Sequence, residues 1–430
     1  MQRLAAVILL LFLFSPNART ETFKCNQFWP EIPDQNENCN EWKSFHLPKR
    51  INGSEMRIYH FADYWHNDKT SQEILETMAN VMATSVPLFN RWFKTPSVYA
   101  TLFNEVSADG TFSEQSSINP NLGQPCRISL FMNISENRHL AEQIGAHEIF
   151  HCIQDNLVFH KSSESRQGVY SYDWWIEGSA NFFASYPFPE GGLDIQHGET
   201  YNPQEPLDRQ RNPYSTVLFF DTLRQHFGMD YGQIGNLLKR QPVYSSFASE
   251  RLALARWPGI DEKFFQFARH FANKDIRNVG GFLYNNETLP YGQPIKIEKD
   301  KFKLKLVVQP FTIGSFRIQV PSATAFKIKV KRSMGFNQRI RVSYRPYLNL
   351  EWKEPTTSAS EFDVDCRNED HSGIYDVLVT GISETDHVLT TELDIELRDS
   401  NACSLTNYAD FRLNAGNVNS FRSPVIGPFW

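Results

Sequence analysis

Apolar residues recur along this chain with two different periods. In SQEILETMANVMATSVPLFNRWF, residues 71–93, they fall three and four apart, which predicts an amphipathic helix. EMRIYHFADYW before it, and SVYATLF and RISLFMN after it, alternate or run apolar over strand lengths and predict strands. A helix is then predicted from about Asn137 to Val158, and another over WWIEGSANFFASY. Helical spacing continues through PYSTVLFFDTLRQHFG, YGQIGNLLKR and DEKFFQFARHFA. From about Lys301 the period drops to two. KFKLKLVVQPFTIGSFRIQV, AFKIKVKRS, RIRVSYRPY, YDVLVTGI and VLTTELDIELRD are short alternating segments separated by turn residues. The predicted fold class is α+β, with an antiparallel β-sandwich as a second domain. The expected organisation is a Cys-, Pro- and Asn-rich lead-in over 21–50, a mixed domain over 51–295 and a β-rich accessory domain over 300–430.

The N-terminal stretch 1–20, MQRLAAVILLLFLFSPNART, has one Arg, an apolar run from Leu4 to Phe14 and a polar end. That is the pattern of a secretory signal peptide, and the run is too short to span a bilayer. No later segment is long and apolar enough to span one, so the expected product is secreted and extracellular with no transmembrane anchor. The 430 residues are 41% hydrophobic and 14% aromatic, enough for real cores. A net charge of -6, from 43 basic and 49 acidic residues without a basic block, argues against nucleic acid as a partner.

An exported chain meets conditions in which thiols pair. Of the six cysteines, proximity pairs Cys25 with Cys39 and Cys366 with Cys403, which leaves Cys126 for Cys152. Three sequons, at Asn52, Asn133 and Asn286, fit an exported glycoprotein.

The chemistry concentrates in IGAHEIFHCIQDN, residues 144–156. On a helix His147 and His151 project from one face and can share a metal ion. Glu148 points about 100° away, poorly aimed as a ligand but suited to reach a water. A catalytic zinc needs a third ligand. The extended HExxHxxGxxH pattern is excluded, because Gln154 and Leu157 stand where Gly and His are required. WWIEGSANFFA offers Glu177 on the next predicted helix, with Ala180, Asn181 and Ala184 on the same face. A carboxylate on that small-residue face would be buried, and a metal would offset the cost.

HEIFH together with WWIEGSANFFA resembles the gluzincin group of zinc peptidases, and the Trp-x-x-Glu-Gly-x-Ala stretch is most similar to that of bacterial collagenase-type enzymes. The resemblance implies a zincin-like domain holding one Zn2+ per chain on His147, His151 and Glu177, with Glu148 as general base. In that group the residue four after the Glu ligand is often acidic and orients a zinc-bound histidine; here it is Asn181. A downstream Tyr or His often serves the oxyanion. Tyr214 is the expected one, with Tyr172, His197 and Tyr231 as rivals, while His139, His160 and His226 read as ordinary surface or helix-end histidines. RISLFMN is expected at the sheet edge, aligning a polypeptide substrate as an added strand. The Gly-x-Met-x-Asn segment of the gluzincin aminopeptidases is missing, which points to an endopeptidase. The alternative is a catalytically inactive zincin-fold binding or adhesion protein. In either case the β-rich domain, which has no acidic-histidine cluster or phosphate loop, is open to a protein or glycan partner.

Overall fold

The computed structural model describes residues 42–46, 57–61, 69–95, 98–103, 113–116, 126–131, 137–159, 174–241, 246–321, 324–331, 339–347, 349–354, 361–364 and 373–398. The chain divides into two compact units, Met1–Thr288 with Glu384–Asp386, and Leu289–Ser383 with His387–Trp430. The fold class is α+β, as the two periods in the sequence imply.

In the first unit the strands β1 (Trp42–His46), β2 (Arg57–Phe61), β3 (Val98–Phe103), β4 (Ser113–Ser116) and β5 (Cys126–Phe131) form one sheet in the order β1-β2-β3-β5-β4. β2, β3 and β5 run parallel, and β1 and β4 are antiparallel to their neighbours. Two of these strands carry no alternation that the sequence could show. β1 falls within the stretch 21–50, and β4 is the wholly polar SEQS. β5 was expected at the sheet edge, but it pairs on both sides, with β3 and β4. Among the described residues the edge beyond it is β4.

Between β2 and β3 runs α1 (Lys69–Phe89), whose Met78, Val81, Met82, Val86 and Phe89 are all fully buried, the stripe that the three-and-four spacing predicts. α2 (Arg138–Phe159) starts at Asn137, whose Oδ1 accepts from the Leu140 amide at 3.1 Å as an N-cap. α2 packs against α1 and α3 (Trp174–Ser185) and also meets β4 and β5. It is therefore buried on every side from Ala141 to Gln154. Phe150 of α2 stacks on Phe183 of α3 with centroids 4.2 Å apart, and Phe89 and Phe93 meet the pair edge-on. α4 (Leu193–Gly198), a 3-10 turn over Pro213–Thr216, α5 (Val217–Phe227), α6 (Tyr231–Leu238), α7 (Phe247–Ala255) and α8 (Ile260–Asn273) complete the helical part.

The second unit has two four-stranded sheets. One contains β6 (Ile295–Lys296), β8 (Ile313–Gln319), β10 (Arg339–Pro346) and β12 (Ile374–Ile382), in the order β10-β12-β8-β6. The other contains β7 (Lys301–Val308), β9 (Phe326–Lys331), β11 (Glu361–Val364) and β13 (Leu389–Leu397), in the order β11-β9-β13-β7. All pairs are antiparallel except the two-residue pairing of β6 with β8. Ile318, Val377 and Val379 from one sheet share a core with Phe326, Ile328, Leu393 and Ile395 from the other, so the unit is a sandwich. On the outer face Glu392 of β13 stands opposite Lys305 of β7 and Lys331 of β9, which places opposite charges across the strands.

Candidate metal centre

Four of the buried polar side chains on α2 lie in one stripe: Gln143, His147, His151 and Gln154, at helical spacings of four, four and three. Each end of the stripe is tied to a later helix. Gln143 donates Nε2 to Asp194 Oδ1 at 2.9 Å and accepts the Leu193 amide at 2.8 Å, which anchors α4. Gln154 donates Nε2 to the Ile176 carbonyl and to Ser179 Oγ, both at 2.8 Å, which anchors α3.

The two histidines between these anchors face Glu177 from the first turn of α3. His147 Nε2 and His151 Nε2 are 2.9 Å apart, and Glu177 Oε2 lies 3.3 and 3.2 Å from them. Ligands about 2.0–2.1 Å from a tetrahedral ion lie roughly 3.3 Å from one another, so this spacing fits three ligands of one ion. The two imidazole planes stand at 88°, so their in-plane lone pairs can converge. Two imidazoles and one carboxylate also match the donor set of a catalytic zinc. Burial alone would lower the His151 pKa, but the charge and hydrogen bond of Glu177, followed by Glu148 and Gln154, push it up to about 10. Burial would raise Glu177, yet the two histidines hold its carboxyl well below the usual carboxylate range.

Glu148 is 4% exposed, and its charge reaches both His151 and Tyr214. Tyr214 is brought to the site by the 3-10 turn. Asn212 Oδ1 accepts the Tyr214 amide, and Thr216 Oγ1 lies 2.6 Å from the Trp174 carbonyl. A Cβ on Gly178 would collide with that Thr216 hydroxyl, which explains the glycine of the Trp-x-x-Glu-Gly-x-Ala stretch. The Tyr214 ring lies 5.7 Å from His147 at 26° and 4.6 Å from His197 at 22°, a three-ring stack. Burial, the charges of Glu177 and Glu148 and a hydrogen bond to Glu177 hold the Tyr214 hydroxyl well above its ordinary pKa. Burial and the neighbouring His147 lower His197 to about 4.

Other sequence expectations are placed differently. Asn181, expected to orient a zinc-bound histidine, donates Nδ2 to the Tyr214 carbonyl at 3.4 Å and supports the turn instead. Tyr231 stacks at 5.0 Å on both Trp92 and Phe182 in the aromatic core, away from the histidines. His226, read as an ordinary helix-end residue, stacks on His270 at 3.2 Å and 12°, with Asp275 Oδ1 2.9 Å from His270 Nδ1. Parallel ring planes cannot both contain one ion, so this second His-His-Asp group lacks the convergence of the first. His139 is exposed and lies 3.4 Å from Glu142. Tyr172 and His160 lie outside the described residues.

Cys126 and Cys152 form a disulfide that ties the start of β5 to α2 beside His151. Cys25, Cys39, Cys366, Cys403, Asn52, Asn133 and the N-terminal 20 residues lie outside the described residues. The third sequon is corrected: Asn286 is 1% exposed and donates Nδ2 to the Phe271 carbonyl at 3.0 Å, so the fold leaves no room for a glycan there. No helix among the described residues is long and apolar enough to cross a membrane.

Neither the pairing of Gln154 with His151 nor the stacking of His197 on Tyr214 is stated by any motif in the sequence. Gln154 had one visible signal, since it continues the stripe that carries both histidines.

No family model matches this sequence, and no curated protein matches it. Among solved structures, it is similar to PliG, a periplasmic inhibitor of g-type lysozyme, from Salmonella Typhimurium and from Aeromonas hydrophila. The first has 9% identity and a TM-score of 0.19, covering 25% of this chain and 100% of PliG. The second has 11% identity and a TM-score of 0.19, covering 24% and 96%. An aminopeptidase N family protein from Idiomarina loihiensis has 14% identity and a TM-score of 0.36, covering 58% of this chain. The match spans 48%, about half, of that protein's length. Scores this low leave the reading of the site to its own residues.

Proposed function

We propose that this chain is a secreted zinc metallopeptidase of the gluzincin type, acting as an endopeptidase. The observation that carries the reading is the convergence of His147 Nε2, His151 Nε2 and Glu177 Oε2 within 3.3 Å of one another, with Glu148 buried one residue along the same helix. His147, His151 and Glu177 would hold one zinc, which when bound supplies a Lewis acid and lowers the pKa of water. Glu148 takes the proton of the attacking water and delivers it to the leaving amine. Tyr214, whose ring stacks on His147, would donate its hydroxyl to the oxyanion, and burial with the two carboxylates keeps that hydroxyl protonated. Among the described residues β4 is the sheet edge beside α2 and would offer its backbone to an extended polypeptide, and the β-sandwich is open to a protein or glycan partner. Secretion is supported by the apolar run from Leu4 to Phe14 and is compatible with the Cys126–Cys152 bridge.

A binding protein has no need of Glu148 beside the three ligands. The test is hydrolysis of denatured protein and of peptide libraries by the purified chain, with chelator and with zinc restored. Chelator-sensitive cleavage at internal bonds is expected. Zinc uptake without cleavage of any substrate would favour the inactive binding protein, and no zinc uptake would end the metal reading.

A further inference from the structure

A single buried amide connects two of the three proposed ligands. Gln154 is 4% exposed, and all of its polar atoms are engaged. Its Nε2 lies 2.8 Å from the Ile176 carbonyl, the residue just before Glu177, and 2.8 Å from Ser179 Oγ. Its Oε1 lies 2.7 Å from His151 Nδ1.

The directions of these bonds follow by elimination. A backbone carbonyl only accepts, so the Gln154 atom beside Ile176 must be the NH2 group and the atom beside His151 must be the oxygen. Ser179 Oγ lies 3.5 Å from the same Ile176 carbonyl and donates there, which leaves it to accept from Gln154. An amide oxygen has no proton, so His151 Nδ1 must carry one. In a neutral imidazole the lone pair then sits on Nε2, the atom 3.2 Å from Glu177 and 2.9 Å from His147.

We propose that Gln154 is a positioning residue that sets His151 with its Nε2 lone pair toward the metal centre and holds the first turn of α3, with Glu177, beside it. The inference rests on the zinc reading of the site. A partner on the far nitrogen fixes a ligand's tautomer and ring orientation, and losing such a partner typically lowers metal affinity about 10- to 100-fold.

Zinc affinity by chelator competition, on the full chain, tests the role. Gln154→Met keeps the length of the side chain and removes its hydrogen bonds, and it should lose about 10- to 100-fold in affinity. Gln154→Glu still accepts from Nδ1 but loses the donor to the Ile176 carbonyl and Ser179 Oγ, so it should regain only the part of the loss that comes from orienting His151. Parent-like affinity in Gln154→Met would overturn the positioning role, and equal weakness in both variants would overturn its His151 half, while zinc on the parent keeps the proposed function standing. A parent that takes up no zinc overturns both. Should Gln154→Met fail to fold, nitrogen NMR of the zinc-loaded parent with labelled histidine decides alone. A proton on His151 Nδ1 is expected, and metal on that nitrogen overturns the inference.

Discussion

His151 Nε2 lies 3.2 Å from Glu177 Oε2, although the two residues sit on separate helices. Each is the other's main electrostatic partner, the histidine buried and the carboxylate partly open to solvent. Metal retention and catalysis should therefore separate cleanly. Glu177→Ala or His151→Ala should lose both zinc and peptide hydrolysis, because three ligands rarely tolerate reduction to two. Glu148→Gln should keep zinc near one per chain while hydrolysis falls about 10²–10⁴-fold, the scale of a lost general base. Elemental analysis beside turnover of one peptide decides. A Glu148→Gln protein as active as the parent would refute the mechanism, and full zinc affinity in Glu177→Ala would move the third ligand elsewhere.

Tyr214 separates ring from hydroxyl. Its ring is held between His147 and His197, and Tyr214→Phe preserves that stack. The variant should keep its zinc and its KM, while kcat drops by about 10²–10³-fold, the scale of a lost oxyanion donor. A raised KM with unchanged kcat would assign the hydroxyl to substrate binding instead.

The Cys126–Cys152 bridge closes a loop with a sequence separation of 26. Chain-entropy arguments give such a crosslink about 3 kcal/mol, mainly through the unfolded state. Replacing both cysteines with alanine should lower the urea-unfolding free energy by roughly 2–4 kcal/mol. Zinc content should persist, because Gln143 and Gln154 still anchor α2 to α4 and α3. Unchanged stability would show that the bridge adds nothing to the folded chain.

The parts of this fold that the sequence reveals are those whose chemistry is periodic. α1 and β9 follow their apolar spacing, and Phe326, Ile328 and Val330 point inward as the alternation requires. Strand β4 was illegible because SEQS has no apolar member, and its pairing depends on β5. That omission also misplaced the sheet edge. In the metal centre, spacing put His147 and His151 on one helix face, while Glu177 was joined to them by its place on the next predicted helix and by the resemblance that HEIFH and WWIEGSANFFA carry. Gln154 continued that face, but a glutamine becomes informative only when its partners, Ile176 and Ser179 on another helix, are in place. Asn181 went the other way: its position suggested a histidine partner, and the fold gave it the Tyr214 carbonyl.

Asp221 should make stability depend on pH in an unusual direction. It is fully buried on α5, accepts the Tyr284 hydroxyl at 2.5 Å, and has Arg224 Nη2 3.2 Å away. Burial raises its pKa to about 7, only partly countered by Arg224 and Tyr284, and Asp194 on the far side of Tyr284 adds to the rise. Between about pH 4 and 7 the folded chain keeps a proton that the unfolded chain releases. Stability from this group therefore falls as pH rises through that window and is level on either side of it. Asp221→Asn is neutral throughout, and its carbonyl oxygen still accepts from Tyr284, while Arg224 retains the Arg277 carbonyl. Relative to the parent, the variant should gain on the order of 2–4 kcal/mol between pH 4 and pH 8. Urea titrations of both proteins at the two pH values measure it, and a difference between them that does not change with pH would show that Asp221 is ionised in the folded chain across the whole range.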